Sequence, residues 1–204
     1  MVLIQSILKA LKKTVSIYFI YTLLGVVSMA QNKMTTLGGG CFWCVEAVFQ
    51  RIEGVISVKP GYAGGETLNP TYKQICTGKT GHAEVAQITY DPKIVNFDEI
   101  LDIFWISHDP TTLNRQGNDV GTQYRSVIFY HNEDQKVTAI ASKNKTNQTS
   151  IWNNEIVTEV TALNNYTDAE DYHDNYYNDN MNQPYCVYVI KPKIDKLKKS
   201  GIIK

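Results

Sequence analysis

Apolar positions recur along this chain with two different periods, and the switches between them mark out its elements. Val45, Val48, Phe49 and Ile52 fall at i, i+3, i+4 and i+7, one face of an amphipathic helix that Gly54 stops. Val55, Ile56 and Val58 then read as a short strand. Residues 61–81 form a long loop rich in glycine, asparagine and threonine, and loops of that length are functional or disordered. Tyr62 and Tyr72 within it favour function, since disordered filler is poor in aromatics. Residues 84–90 alternate as a strand does, with Glu84, Ala86, Ile88 and Tyr90 on one face and Val85, Gln87 and Thr89 on the other.

Asp91-Pro92 ends that strand. Asn96 with Glu99 has the spacing of a capping box, and Phe97, Ile100, Leu101 and Phe104 continue it as a helix to about residue 106. His108-Asp109-Pro110 leads into an irregular polar loop over 114–124, and 127–130 is a buried strand. Asn132 with Gln135 caps a mostly polar surface helix, and the β-branched residues of 156–160 predict another strand. Thr167 with Glu170 repeats the capping-box spacing before a tyrosine-rich helix over 168–178. Residues 178–183 are polar and predict a mobile segment; Pro184-Tyr185-Cys186 then introduces the apolar run 187–190, and 193–199 is a basic, solvated terminal helix. There is no internal repeat and no low-complexity linker. The pattern is α+β, in one domain.

The first thirty residues stand apart. Lys9, Lys12 and Lys13 precede an apolar run over 14–30 that ends Ser28-Met29-Ala30, the order of a secretory signal peptide. The run is shorter than the roughly 20 apolar residues of a spanning helix. The expectation is therefore an exported, extracytoplasmic or periplasmic protein, with an uncleaved membrane anchor over 14–30 as the alternative and a cytosolic amphipathic helix as a third. The membrane is a partner only if the leader is retained. Residues 31–204 are a single domain, and 204 residues with 43% hydrophobic content suffice for one core. Lys+Arg and Asp+Glu are 20 each, which gives no basic surplus calling for nucleic acid.

The chemistry concentrates in Gly38-Gly39-Gly40-Cys41-Phe42-Trp43-Cys44. Cys41 lies at a helix start, where unpaired N–H groups and the helix dipole favour a thiolate of lowered pKa. The glycines permit a tight entry, and Phe42 and Trp43 look exposed. Cys44, one turn on, reads equally as a redox partner or a core residue. Glu84 is the one carboxylate on an apolar stripe; if that face is the buried one, desolvation raises its pKa toward that of a general acid. If the Val85 face is buried instead, or Glu84 sits at the strand's wet end, it has no such role. Tyr72 and Tyr124 offer hydroxyl donors.

Three classes of function fit these residues: a reductase whose Cys41 attacks oxidised sulfur, a thioredoxin-like disulfide exchanger, and a non-enzymatic secreted module. Two structural disulfides from the four cysteines are a further possibility in an exported chain. A zinc site is disfavoured because no second pair of ligands follows Cys41 and Cys44, so no metal is expected. Disulfide exchange fits poorly because the Cys-x-x-Cys does not precede a long helix in a βαβ pattern.

Beyond these separate signals, the chain carries in order Gly40-Cys41-Phe42-Trp43, Gly61-Tyr62-Ala63-Gly64-Gly65, Asn69-Pro70-Thr71-Tyr72, Gly81-His82-Ala83-Glu84-Val85, His108-Asp109-Pro110, the run from Arg115 to Ser126, and Ala169-Glu170-Asp171-Tyr172-His173. In this combination it resembles the A-type peptide methionine sulfoxide reductases. The resemblance implies an α+β fold: a mixed sheet with flanking helices, a ferredoxin-like split βαβ core, long irregular loops and a coil-rich tail. It also implies that Cys41 attacks the sulfur of the S epimer and that Glu84 protonates the departing oxygen with help from Tyr72 and Tyr124. Phe42 and Trp43 would hold the substrate methyl, and Asp119 would support the polar side of the pocket. A resolving thiol would convert the Cys41 sulfenic acid to a disulfide. Cys186, at the end of the mobile segment, is favoured over Cys44, and Cys76 is a bystander. No cofactor is implied beyond a dithiol reductant, thioredoxin or an equivalent; the other partners are oxidised proteins or peptides, and the protein is a monomer.

Overall fold

The computed structural model describes residues 31–203; the leader read from residues 1–30 lies outside the described residues. A six-stranded sheet forms the frame, built from β1 (Lys33–Gly39), β2 (Val55–Ala63), β3 (Ala83–Tyr90), β6 (Ser126–Tyr130), β7 (Glu159–Ala162) and β8 (Tyr166–Asp168), while β4 (Arg115–Gln116) and β5 (Asp119–Val120) pair separately. The order in the sheet is β7-β6-β1-β3-β2-β8. Every pairing is antiparallel except β6 with β7, so the sheet is mixed. Helix α1 (Phe42–Phe49) joins β1 to β2, and β3 lies between those two strands. Helix α3 (Phe97–Ser107) lies between β3 and β6 in the chain, and β1 lies between those strands in the sheet. Two strand–helix–strand units are thus interleaved.

The core follows the apolar periodicity. Val45, Val48 and Phe49 of α1 and Ile100, Leu101 and Phe104 of α3 are buried with Leu37, Ala86 and Ile88 of the sheet. The box at Asn96 forms in both directions, its side chain accepting from Glu99 N–H (3.0 Å) while Glu99 accepts from Asn96 N–H (2.8 Å). Asn132 caps α4 (Glu133–Asn147) by accepting from Gln135 N–H, but the Gln135 side chain turns aside to accept from His131 N–H.

Four stretches depart from the pattern. β2 runs on through Gly61-Tyr62-Ala63, expected as loop, because β3 pairs with it on one side and β8 on the other. Gly61 is required there: a Cβ would strike the Tyr166 ring. The strand expected at 156–160 begins only at Glu159, although Ile156 and Thr158 are buried. No capping box or helix opens at Thr167. Residues 166–168 are β8, and the Glu170 carboxylate accepts instead from Tyr72 N–H and Tyr62 Oη–H, so tertiary bonds displace the local cap. A 3₁₀ turn (Asp171–His173) and α5 (Tyr176–Asp179) follow. The tail is more helical than its composition implies: Cys186–Ile190 form a π turn that continues into α6 (Lys191–Lys199). Cys186 is therefore not at the end of a free arm but fully buried within that turn, and Ile190, Ile194 and Leu197 anchor the segment in the core.

Candidate active site

β1 delivers Cys41 to the start of α1 through Gly40, whose φ of +91° lies in the left-handed region that favours glycine. A Cβ on Gly40 would also meet the side chain of Gln116 at 2.6 Å. Cys41 is the N-cap residue, and its carbonyl receives Cys44 N–H (3.0 Å) while its thiol makes no capping bond. The thiol is thereby left free for chemistry.

Its ionisation runs against the helix-terminus expectation. Burial, the hydrogen bond with Cys44 and the charge of Glu84 push the Cys41 thiol well up rather than down. The hydrogen bond from Cys41 instead draws Cys44 down to about 7. At rest, Cys44 is the more easily ionised of two adjacent thiols.

Glu84 comes from β3. It is 1% exposed, on a stripe with Ala86, Ile88 and Tyr90 that is buried as the first alternative required; Val85 on the other face is buried too, in a second cluster, so the two alternatives do not exclude each other. Phe42 N–H, at the first turn of α1, donates to its Oε2 (3.1 Å), while Oε1 has no protein partner. Burial carries its pKa to about 8, opposed by the Phe42 bond and assisted by the charge of Asp119. Glu84 is therefore mostly protonated at neutral pH, as a proton donor must be.

Tyr72 opens the short helix α2 (Tyr72–Ile75) and Tyr124 closes the 3₁₀ turn Thr122–Tyr124. Both phenols are pushed up by burial and then by the charge of Glu84, and Cys41 is the next contributor to Tyr124, so these groups share one neighbourhood. Tyr72 and the exposed Cys76 each act on the other's ionisation, which places that supposed bystander near the site.

Asp119, on β5 (Asp119–Val120), approaches by another route. Its Oδ2 accepts from Tyr185 Oη–H (2.6 Å), and that hydroxyl lies 3.9 Å from Cys44 Sγ. A cleft of about 420 Å³ opens here, lined by Cys41, Cys44, Gln116, Asp119, Tyr185 and Lys193 among others; Glu84, Phe42 and Trp43 are not part of its wall.

The aromatics correct the expectation that both look exposed. Phe42 is fully buried, packed against Tyr62, Tyr72 and His173. Trp43 is half-buried, stacked on Tyr176 with ring centroids 3.7 Å apart, and its Nε1–H donates to His173 Nδ1 (3.1 Å). Tyr185, Tyr176, Glu170 and His173 were not singled out for chemistry; the last two stand in a quoted motif, but nothing in their spacing announces the bonds they make. Cys186 lies near Cys44, whose charge raises its pKa after burial has done so. Among the described residues no cluster of three or more His, Cys, Asp or Glu is placed to hold a metal.

A protein-family model described as peptide methionine sulfoxide reductase matches residues 33–203. The chain belongs to this family. As a peptide methionine sulfoxide reductase it is an oxidoreductase, a peptide-methionine (S)-S-oxide reductase. It is 58% identical over 169 residues to the peptide methionine sulfoxide reductase MsrA of Leptospira borgpetersenii, covering 83% of this chain and 95% of that one. Its fold is similar to that of Saccharomyces cerevisiae Mxr1 in the reduced form, with a TM-score of 0.73 at 36% identity over 78% of this chain and 91% of Mxr1. Mxr1 in complex with Trx2 also matches, with a TM-score of 0.53 at 29% identity, over 70% of this chain and 84% of Mxr1.

Proposed function

We propose that this reductase works through Cys41 as nucleophile and Glu84 as general acid, with Cys44 as the first resolving thiol. The observation that carries this reading is a buried carboxyl of pKa about 8, bonded to the helix turn that Cys41 caps. Cys41 Sγ attacks the sulfoxide sulfur while the Glu84 proton moves to the sulfoxide oxygen, which is the atom that gains charge, and the thiol proton that Cys41 gives up returns to the Glu84 carboxylate. Tyr72 and Tyr124 donate hydrogen bonds to the same oxygen. The oxygen ends on Cys41 as a sulfenic acid, and the thioether of methionine is released.

Cys44 then attacks Cys41 Sγ, expelling the oxygen as water and leaving a Cys41–Cys44 disulfide. This choice departs from the expectation that Cys186 acts first. Cys44 lies in the first turn of the helix that Cys41 caps, and its thiol is the one drawn down to about 7 by Cys41, whereas Cys186 is buried in the π turn beside Cys44. Cys186 is better placed to take the disulfide over from Cys44. An external dithiol supplies two electrons and two protons to close the cycle; the Mxr1–Trx2 complex supports a thioredoxin in that part. Trp43, half-buried, supplies the apolar wall for the substrate methyl with the buried ring of Phe42 behind it, and Asp119 holds Tyr185 on the polar side.

Methionine S-sulfoxide, free or in oxidised proteins, is the substrate in this reading, and repair of such proteins the role. The extracytoplasmic location inferred from residues 1–30 belongs to the same proposal, and N-terminal sequencing of the protein from its source tests it. The chemistry is tested by offering separated S and R epimers of a blocked methionine sulfoxide to the protein and to Cys41→Ser, with dithiothreitol. Loss of the S epimer alone, abolished in the variant, is the expected result; consumption of neither epimer by the folded protein overturns it.

A further inference from the structure

The expected walls of the substrate pocket come from separate parts of the chain: Trp43 on α1, and Tyr72 at the start of α2 after a long loop. The ring of Phe42, on α1, stacks on Tyr72 and is one link between them. One carboxylate reaches toward both. Glu170 Oε1 accepts from Tyr72 N–H (2.9 Å), and Oε2 accepts from Tyr62 Oη–H (2.8 Å). The same Oε2 lies 3.8 Å from Nε2 of His173, and His173 Nδ1 accepts from the indole N–H of Trp43 (3.1 Å).

His173 is 0% exposed, enclosed by Phe42, Tyr72, Tyr172 and Trp43 with ring centroids 4.1–5.6 Å away. An Nδ1 that accepts from Trp43 requires the proton to sit on Nε2, which makes no hydrogen bond and faces the Glu170 carboxylate at 3.8 Å. Burial lowers the histidine's pKa and keeps the ring in this neutral, accepting form.

We infer that Glu170 and His173 are positioning residues for the reductase. His173 fixes the orientation of Trp43 through its indole N–H, and Glu170, bonded to Tyr72 N–H, sets its carboxylate against the N–H edge of His173 at 3.8 Å. Neither touches the reacting sulfur; both act by holding the aromatic walls at the spacing a methyl sulfoxide needs. This rests on the reading of Trp43 as a wall of the substrate pocket.

The test compares two amide substitutions of similar polarity in the full chain. His173→Asn places an amide oxygen near the position of Nδ1, and His173→Gln places one near Nε2. The inference expects His173→Asn to keep a near-normal KM for a methionine-S-sulfoxide peptide. His173→Gln, which leaves the indole N–H buried and unpaired, raises KM about tenfold with a single-turnover rate at saturation within about twofold of normal. In a Trp43→Phe background, which has no N–H, His173→Gln adds nothing. Glu170→Gln provides a second variant, with a smaller KM rise that also vanishes in that background. Equal KM values for the two His173 variants, or an effect undiminished in Trp43→Phe, overturns the inference. If Trp43→Phe alone leaves KM unchanged, it is the reading of Trp43 as a substrate wall that fails.

Discussion

Replacing Glu84 by Gln isolates the proton that the chemistry needs. The amide is nearly isosteric and can still accept from Phe42 N–H through its oxygen, so the start of α1 is kept. What disappears is an acid whose pKa burial has moved from 4.5 to about 8. At pH 7 a carboxyl of pKa about 8 is protonated in roughly nine molecules of ten, against roughly three in a thousand for an ordinary glutamate. The shift alone therefore raises the fraction of competent acid by a factor of about 300. Loss of a positioned general acid slows a reaction by about 10²–10⁴, so the single-turnover rate of Glu84→Gln is expected to fall by at least about a hundredfold at pH 7. The assay is rapid-quench formation of methionine by pre-reduced enzyme on the S sulfoxide, from pH 5 to 10, which keeps disulfide reduction out of the measured rate. The wild-type rate stops rising with pH at about pH 8, because loss of the Glu84 proton then offsets further ionisation of Cys41, whose own pKa lies well up, and this flat limb is absent from the residual rate of Glu84→Gln, which goes on rising. A variant within about threefold of wild type at pH 7, or one that keeps the same limb, would refute the assignment.

Three more outcomes follow from the same geometry. Cys44→Ser is expected to make one equivalent of methionine at the wild-type rate and then to lose most of its thioredoxin-supported turnover, as read by a burst assay; steady turnover unchanged from wild type would return first resolution to Cys186. Glu46 is 1% exposed, with Oε1 accepting from Asn175 N–H and a pKa pushed to about 7, chiefly by burial. Its folded pKa lies above its unfolded one, so its contribution to stability is complete below about pH 4.5 and is lost as pH rises through about 7. Glu46→Gln should flatten the fall in urea-denaturation stability between pH 5 and 8 by at most about 3 kcal/mol, and an unchanged slope would exclude Glu46 as its source. Asn96→Ala removes one half of a formed capping box at the head of α3 and should cost about 1 kcal/mol in the same assay without changing the single-turnover rate.

Much of the frame was legible because it rests on local rules. The i, i+3, i+4 face of α1, the box at Asn96 and the alternation of Glu84, Ala86, Ile88 and Tyr90 are short-range signals, and each is present in the structure. Legibility fails where long-range bonds overrule the local pattern. Glu170 has the spacing of a cap partner for Thr167, yet its carboxylate serves Tyr72 and Tyr62, about a hundred residues earlier in the chain. Residues 61–63 carry glycine and look like a turn, but two strands bracket them. At the site itself, the residue types at Cys41 and Glu84 could be read, but not the sign of the thiol's shift. That sign depends on how deeply the helix start is covered and on the distance to Glu84, and neither is encoded in spacing. The same holds for Tyr185, Trp43 and His173, whose partners arrive from opposite ends of the chain.

The most direct measurement of the central claim is to trap Cys41 in the act. A Cys44→Ser/Cys186→Ser protein is mixed with one equivalent of the S or the R sulfoxide in the presence of dimedone, and its peptides are analysed by mass spectrometry. The account predicts one dimedone adduct, on Cys41, with the S epimer only and in step with methionine release. Methionine formed without an adduct on Cys41, or an adduct raised equally by the R epimer, would contradict it.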